Sequence, residues 1–349
     1  MFKPKYQITP AILNNLTKIA EIRAIVSRVQ LLPVRESFLR RAALIKMAHT
    51  STSIEGNTLN EYQVKKILEG KKPQAEESQI REVKNYLTAL KLVDKIFGEK
   101  AFFTEKDILK LHKIVVSGLI DSKNVGIFRK TPVYVVNVLA NGKEQLVYTP
   151  PAAIKVFSLI EELLSWLKEN KNIHPIVRAG LFHYQFESIH PFIDGNGRVG
   201  RLLTLLHLYQ SGWDFRRCLV LEDYYNRERK KYYLNLQTGK NYLCRKEVDL
   251  TGWLDYFVAG FLDEAKKVKE LVLRLQIAGR SKNLARVFSE DELKIIDFLV
   301  TVGRITSADV VDILRIPKRT AQAKLKRLEE DKVLIKKSRG PATAYFLKK

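Results

Sequence analysis

From Ala11 to about Leu32 the apolar residues Ile12, Leu13, Leu16, Ile19, Ala20, Ile22, Ile25 and Val26 recur every three or four positions, the spacing of one helical face. Pro33 interrupts that face because it has no N–H to continue the ladder. A second helix is predicted from Glu36 to about His49 through Leu39, Ala42, Ala43, Ile45 and Met47, stopping in the polar run Ser51-Thr-Ser-Ile-Glu-Gly-Asn57. The pattern resumes over 60–68, breaks at Gly70-Lys-Lys-Pro73, runs again over 76–97, and restarts behind Thr104, a candidate N-cap. Between Gly126 and Pro151 it changes: two β-rich runs flank Asn141-Gly142, which predicts a hairpin. Helices are predicted again over 152–169, 176–188, from about Gly197 and over 249–261 with Trp253 and Phe257.

A charged amphipathic helix over 263–283 leads to Gly279-Arg-Ser281, and the rhythm changes after it. Ser289-Glu-Asp-Glu292 opens one short helix, Ile305-Thr-Ser307 precedes a second, Pro317 opens a third with Ala321, Leu325 and Leu328, and Val333-Leu-Ile335 is β-prone. The pattern therefore predicts a mainly α fold with one small β-hairpin, organised as an N-terminal helical region over 1–100, a core over 101–262, a linker helix over 263–284 and a separate domain over 285–349.

Composition changes this picture little. With 349 residues and 46% hydrophobic content the chain is long enough for one large domain and a smaller one. A formal net charge of +23 points to acidic partners such as nucleic acid or nucleotides, or to a solvated lysine-rich surface. Only Cys218 and Cys244 occur, without metal-ligand spacing, and a reducing cytoplasm is expected. The start has no apolar signal core, and no stretch is apolar enough to span a membrane.

Candidate chemistry concentrates in residues 190–201, His-Pro-Phe-Ile-Asp-Gly-Asn-Gly-Arg-Val-Gly-Arg. Gly195 and Gly197 let the backbone approach a ligand closely, and N–H groups at the start of the following helix suit phosphate. Arg198 and Arg201 stand three apart on that helix, which suggests a polyphosphate. Asp194 is placed to hold a magnesium ion that keeps most of its waters. His190 is placed to take a proton from an incoming hydroxyl. His183, seven residues earlier, sits two turns away and does not make a zinc pair with it. Pro191 and Phe192 read as structural.

These twelve residues resemble the signature of the Fic family, His-Pro-Phe-x-Asp/Glu-Gly-Asn-Gly-Arg-x-x-Arg, with every constrained position met. The resemblance implies a protein adenylyltransferase, which moves AMP from ATP to a Ser, Thr or Tyr hydroxyl of a target protein, or of itself, often as a homodimer. It implies His190 as base, Asp194 on Mg2+, Gly195 to Gly197 cradling phosphates with Asn196 near the α-phosphate, and Arg198 and Arg201 on the outer ones. Ser51 to Gly56 has the form Ser/Thr-x-x-x-Glu-Gly/Asn of the family's inhibitory motif, in which Glu55 pairs with Arg201; the plainer reading is a helix end capped by Gly56-Asn57. The hairpin resembles the flap that holds a target segment as an added strand. Tyr232, Tyr233 and Asn235 fall in a region that supplies the adenine pocket in such proteins, although tyrosines on a helix are more often core.

Residues 285–349 resemble a winged helix-turn-helix, with Lys318, Arg319, Lys324, Lys326 and Arg327 on the third helix and Lys336, Lys337 and Arg339 in the wing. Such a surface suits DNA, with protein docking or dimerisation as alternatives. Two functions of other kinds stay open: a DNA-binding regulator whose Fic domain senses nucleotide, and an enzyme that removes AMP with Glu55 assisting a water. The intact Gly-Asn-Gly and both arginines disfavour phosphoryl transfer.

Overall fold

A computed structural model describes residues 2–31, 33–138, 142–280, 288–337 and 343–348. Asn141 at the hairpin turn, Ser281 to Asn283 at the linker end and Arg339 in the expected wing lie outside the described residues. The fold is mainly helical, in two compact units: residues 1–29 with 43–271, and residues 30–42 with 272–349.

In the larger unit, α1 (Pro10–Arg28) buries Ile12, Leu16, Ile19, Ile22 and Val26 on one stripe, while Leu13 and Ile25 face solvent. It stops short of the predicted Leu32 because the Arg216 side chain takes the carbonyls of Val26, Ser27 and Val29. Helix α2 (Pro33–Ile54) runs five residues beyond the predicted end at His49. Its polar tail stays helical, with the Thr50 and Thr52 hydroxyls satisfied on the Lys46 and Ala48 carbonyls of the same helix. The stop comes at Gly56, where φ is +103° and the pair Gly56 N–H to Ser53 O and Asn57 N–H to Thr52 O closes a Schellman turn.

Helices α3 (Glu61–Leu68), α4 (Glu77–Glu99) and α5 (Glu105–Val115) follow, the last capped by a Thr104–Asp107 box. Strands β1 (Val135–Val138) and β2 (Glu144–Tyr148) pair antiparallel with an irregularity between Val135 and Val136. Behind them come α6 (Val156–Glu169), α7 (Pro175–Ile189) and α8 (Asn196–Gln210). Helices α7 and α8 are buried almost all round, as core helices are. Helix α8 packs on α4, α5 and α7, so its N-terminus is fixed from three sides. The short helices α9 (Leu221–Arg227), α10 (Arg229–Leu236) and α11 (Tyr242–Glu247) lead to α12 (Thr251–Arg280), one continuous helix where the pattern predicted two. No described helix is long and apolar enough to cross a membrane.

In the smaller unit, α13 (Glu290–Val302) and α14 (Ser307–Leu314) start on capping boxes at Ser289 and Thr306, and α15 (Lys318–Glu330) follows Pro317. Strands β3 (Leu334–Lys337) and β4 (Ala344–Leu347) pair antiparallel, and Ile305 exchanges two backbone bonds with Tyr345. Ile295, Leu299, Ile305, Ala321, Leu325 and Leu328 form the centre of this unit's own core.

Leu202 is fully buried in α8 among the packed helices. Leu202→Ala is expected to cost about 2–5 kcal/mol in a urea titration, because the site is walled on every side and collapses poorly. A loss within about 0.5 kcal/mol, the range of surface changes, would show that α8 is not the packing centre.

Candidate active site

Helix α7 delivers His190 and α8 receives the chain again at Asn196, so the site is a six-residue turn, His190 to Gly195, between two buried helices. His190 takes the left-handed conformation, φ +50°, and its N–H closes the helix on the Phe186 carbonyl at 3.0 Å. A non-glycine residue there is strained and persists only where its surroundings hold it. Phe192 is fully buried and stacks on His112 with ring centroids 3.7 Å apart. Asn196 is 3% exposed, and both ends of its amide are taken up by the Phe192 backbone at 2.9 Å. Asn196, which the resemblance puts near an α-phosphate, therefore shapes the turn through its side chain in this structure. Gly195 has φ +82°, and a Cβ there would sit 2.7 Å from Val116, so only glycine fits.

His112 was not singled out from the sequence. Its Nδ1 accepts the Gly126 N–H at 3.0 Å, which leaves the proton on Nε2 to donate to the Asp194 carbonyl at 3.1 Å. Burial pushes its pKa down to about 4 and keeps it neutral.

The two arginines on α8 are both ion-paired. Arg201, 3% exposed, donates Nε to Ser51 Oγ at 2.8 Å and Nη2 to the Ser51 carbonyl at 3.0 Å and to Glu55 Oε1 at 2.7 Å. Burial works to raise the Glu55 pKa, but Arg201, Arg198 and Arg229 outweigh it and hold the carboxyl below its ordinary range. Gly197 makes room for this pair, since a Cβ there would lie 2.6 Å from Glu55 Oε1. Arg198 bonds Glu82 at 2.6 Å and Asp194 at 2.9 Å. Glu82 also accepts from the Asn57 amide at 2.8 Å, which ties it to the turn that follows Glu55.

Asp194 is half-exposed, and no cluster of three or more acidic, His or Cys ligands occurs among the described residues. One exposed carboxylate, paired with Arg198, could hold a magnesium ion that keeps most of its waters and does not make an all-protein cage. His183 is buried, bonding Thr204 through Nδ1 and Tyr232 through Nε2 at 2.9 and 2.8 Å. Tyr232 is thus part of the core, at 1% exposure. Tyr233 lies by the Ile54 carbonyl next to Glu55, and Asn235 bonds back to Lys231.

The His190 ring hydrogen-bonds the Glu187 backbone, which favours the charged form. Burial, with Arg129 and Arg245 nearby, outweighs that bond and pushes its pKa down to about 4. The imidazole is therefore neutral and able to accept a proton well below pH 6.

Residues 102–208, which hold the His-Pro-Phe turn and the buried, twin-arginine helix, match the Fic/DOC family. The chain is similar to protein adenylyltransferase Fic of Drosophila mojavensis, 33% identical over 51% of this chain and 34% of that one. It is also similar to the Drosophila melanogaster protein of the same name, 34% identical over 50% of this chain and 35% of that one. The matched region thus spans about a third of these relatives' length. A crystal structure of a Fic family protein from Desulfovibrio desulfuricans G20 superposes with TM-score 0.65 over 99% of this chain and 98% of that one, at 28% identity.

The His190 environment generates a direct check. An NMR titration of the His190 ring is expected to show a midpoint near 4; a midpoint near the ordinary value of about 6.5 would mean that the ring is solvated and not held as described.

Proposed function

We propose that the chain is a protein adenylyltransferase whose own Glu55 holds it in check. The observation that carries this reading is Glu55 seated on Arg201, in a notch opened by Gly197, inside an intact His190 to Arg201 motif. The names of the relatives support the chemistry, and ATP is the substrate they imply.

In this reading a hydroxyl oxygen of the target attacks the α-phosphorus of ATP while neutral His190 takes its proton. The bond from the α-phosphorus to the bridging oxygen breaks, and pyrophosphate leaves. Asp194 would hold magnesium, which neutralises phosphate charge when bound. Gly195 to Gly197 present their N–H groups at the start of α8, Arg198 and Arg201 hold the outer phosphates, and the flap formed by β1 and β2 pairs with the target segment. Arg201 meets its phosphate only after Glu55 has left it. A charge-assisted hydrogen bond is worth about 1.5–3 kcal/mol net, so the hold is roughly ten- to hundredfold and leaks.

A second role rests on the smaller unit, which we read as a winged helix-turn-helix that contacts DNA. Leu325 and Leu328 of α15 point into the core, while Lys318, Arg319, Gln322 and Lys326 lie on its exposed side. Lys324 and Arg327 have acidic neighbours in Asp291 and Glu292, so the open charge lies mainly at the N-terminal end of the helix.

With α-labelled ATP and magnesium, Glu55→Gly is expected to raise labelling of the chain or of lysate proteins roughly ten- to hundredfold, and His190→Ala to abolish it. Equal labelling with and without Glu55 contradicts the inhibitory role. For the smaller unit, the full chain should bind duplex DNA with a salt slope that falls by about 2 when Lys318 and Arg319 are both changed to Ala; no binding at low salt moves this unit to protein docking.

A further inference from the structure

At the end of α7 and just beyond it four consecutive carbonyls, Ser188 to Pro191, have no helical N–H to receive. All four are taken by residues at the two roots of the flap. The Tyr148 hydroxyl, at the end of β2, donates to the Ser188 carbonyl at 2.5 Å. Arg129, just before the flap, supplies the other three partners: Nη2 to Ile189 at 3.5 Å, Nε to His190 at 2.8 Å, and its backbone N–H to Pro191 at 2.9 Å. The same guanidinium reaches the flap's own two ends, Thr131 O through Nη1 at 3.3 Å and Pro151 O through Nη2 at 2.5 Å.

Arg129 is 3% exposed, and every hydrogen bond its side chain makes here goes to a backbone carbonyl. A buried cation met only by dipoles is a costly arrangement. Its planar fork of five donors spans carbonyls from three segments, which a lysine ammonium on its flexible stem does not. The residue at the centre of these contacts, His190, is the one in the left-handed conformation. Arg245 backs the second tie, lying 3.5 Å over the Tyr148 ring and donating to Ser188 Oγ at 3.2 Å.

We propose that Arg129 is a positioning residue that staples both ends of the flap to the His190 turn, so that the strand that docks a target and the group that takes the proton form one rigid piece. This rests on the reading of His190 as base and of the hairpin as the target-holding flap. Loss of the staple lets His190 relax from its left-handed geometry without disturbing the phosphate cradle, whose arginines are held from α2 and α4. A misplacement of about 1 Å costs on the order of a hundredfold in rate.

The test uses the full chain carrying Glu55→Gly, alone and with Arg129→Lys or Arg129→Gln. ATP binding is measured by calorimetry, label transfer from α-labelled ATP by autoradiography, and amide exchange of 135–148 and 188–192 by mass spectrometry. The His190 ring is followed by NMR across pH; with Glu55 replaced, its charged neighbours are Arg129 and Arg245. Arg129→Lys is expected to keep ATP affinity within about threefold while transfer falls about a hundredfold, with faster exchange in both segments together. Because burial is the main cause of the low value, release of the ring should move the His190 titration upward in both variants, and further in Arg129→Gln, which also removes a charge. Full transfer in Arg129→Lys, or exchange that rises in the flap and not in 188–192, overturns the staple. If the Glu55→Gly parent itself transfers no label, the proposed chemistry fails, and the paired exchange and the His190 titration still decide the staple.

Discussion

A guanidinium that is almost wholly buried must have its charge met, by carbonyls as at Arg129 or by an anion, and Arg201 finds Glu55. Removing one partner of such a pair leaves an uncompensated charge and costs several kcal/mol, whereas exchanging one anion for another does not. That asymmetry suits the position to the proposed switch, in which an incoming phosphate takes the place of the carboxylate. The packing around the pair follows from the same need. Ser51 is fully buried so that its hydroxyl and carbonyl complete the fork, Gly197 has no side chain so that the carboxylate fits, and α2 continues past His49 so that both Ser51 and Glu55 reach α8.

Beside that pair, the turn from His190 to Gly195 is held by groups that touch no reacting atom. His112 fixes the Asp194 carbonyl, Asn196 closes on Phe192, and Arg129 and Tyr148 take the carbonyls at the end of α7. Burial and two neighbouring arginines keep the His190 ring neutral. In the proposed reading the site is rigid where a proton is accepted and exchangeable where phosphate is held.

The twelve-residue motif was legible because its parts are adjacent in the chain, so spacing alone brought base, carboxylate and arginines together. The helices were legible from their apolar stripes, and the hairpin from the two β-rich runs that flank its turn. Glu55 stood out only through resemblance; as a residue it is a polar helix end, and its partner lies 146 positions away. Glu82, His112, Arg129 and Arg245 carried no local signal. Each is one charge or ring on an ordinary amphipathic segment, among 61 basic and 38 acidic residues, and what singles it out is a carbonyl or carboxylate that only the fold brings near. The end of α2 was misplaced for a related reason: threonines read as helix-breaking polar residues bond back to their own helix. Tyr232 shows the opposite case, a residue named through resemblance that is buried in the core with its hydroxyl bonded to His183.

The central claim is that Glu55 and the terminal phosphate of ATP occupy the same place on Arg201. Calorimetric affinities of ATP and ADP for the wild-type chain and for Glu55→Gly test it most directly. The account predicts that removing Glu55 tightens ATP by roughly ten- to hundredfold and ADP far less; an equal gain for both nucleotides would contradict it.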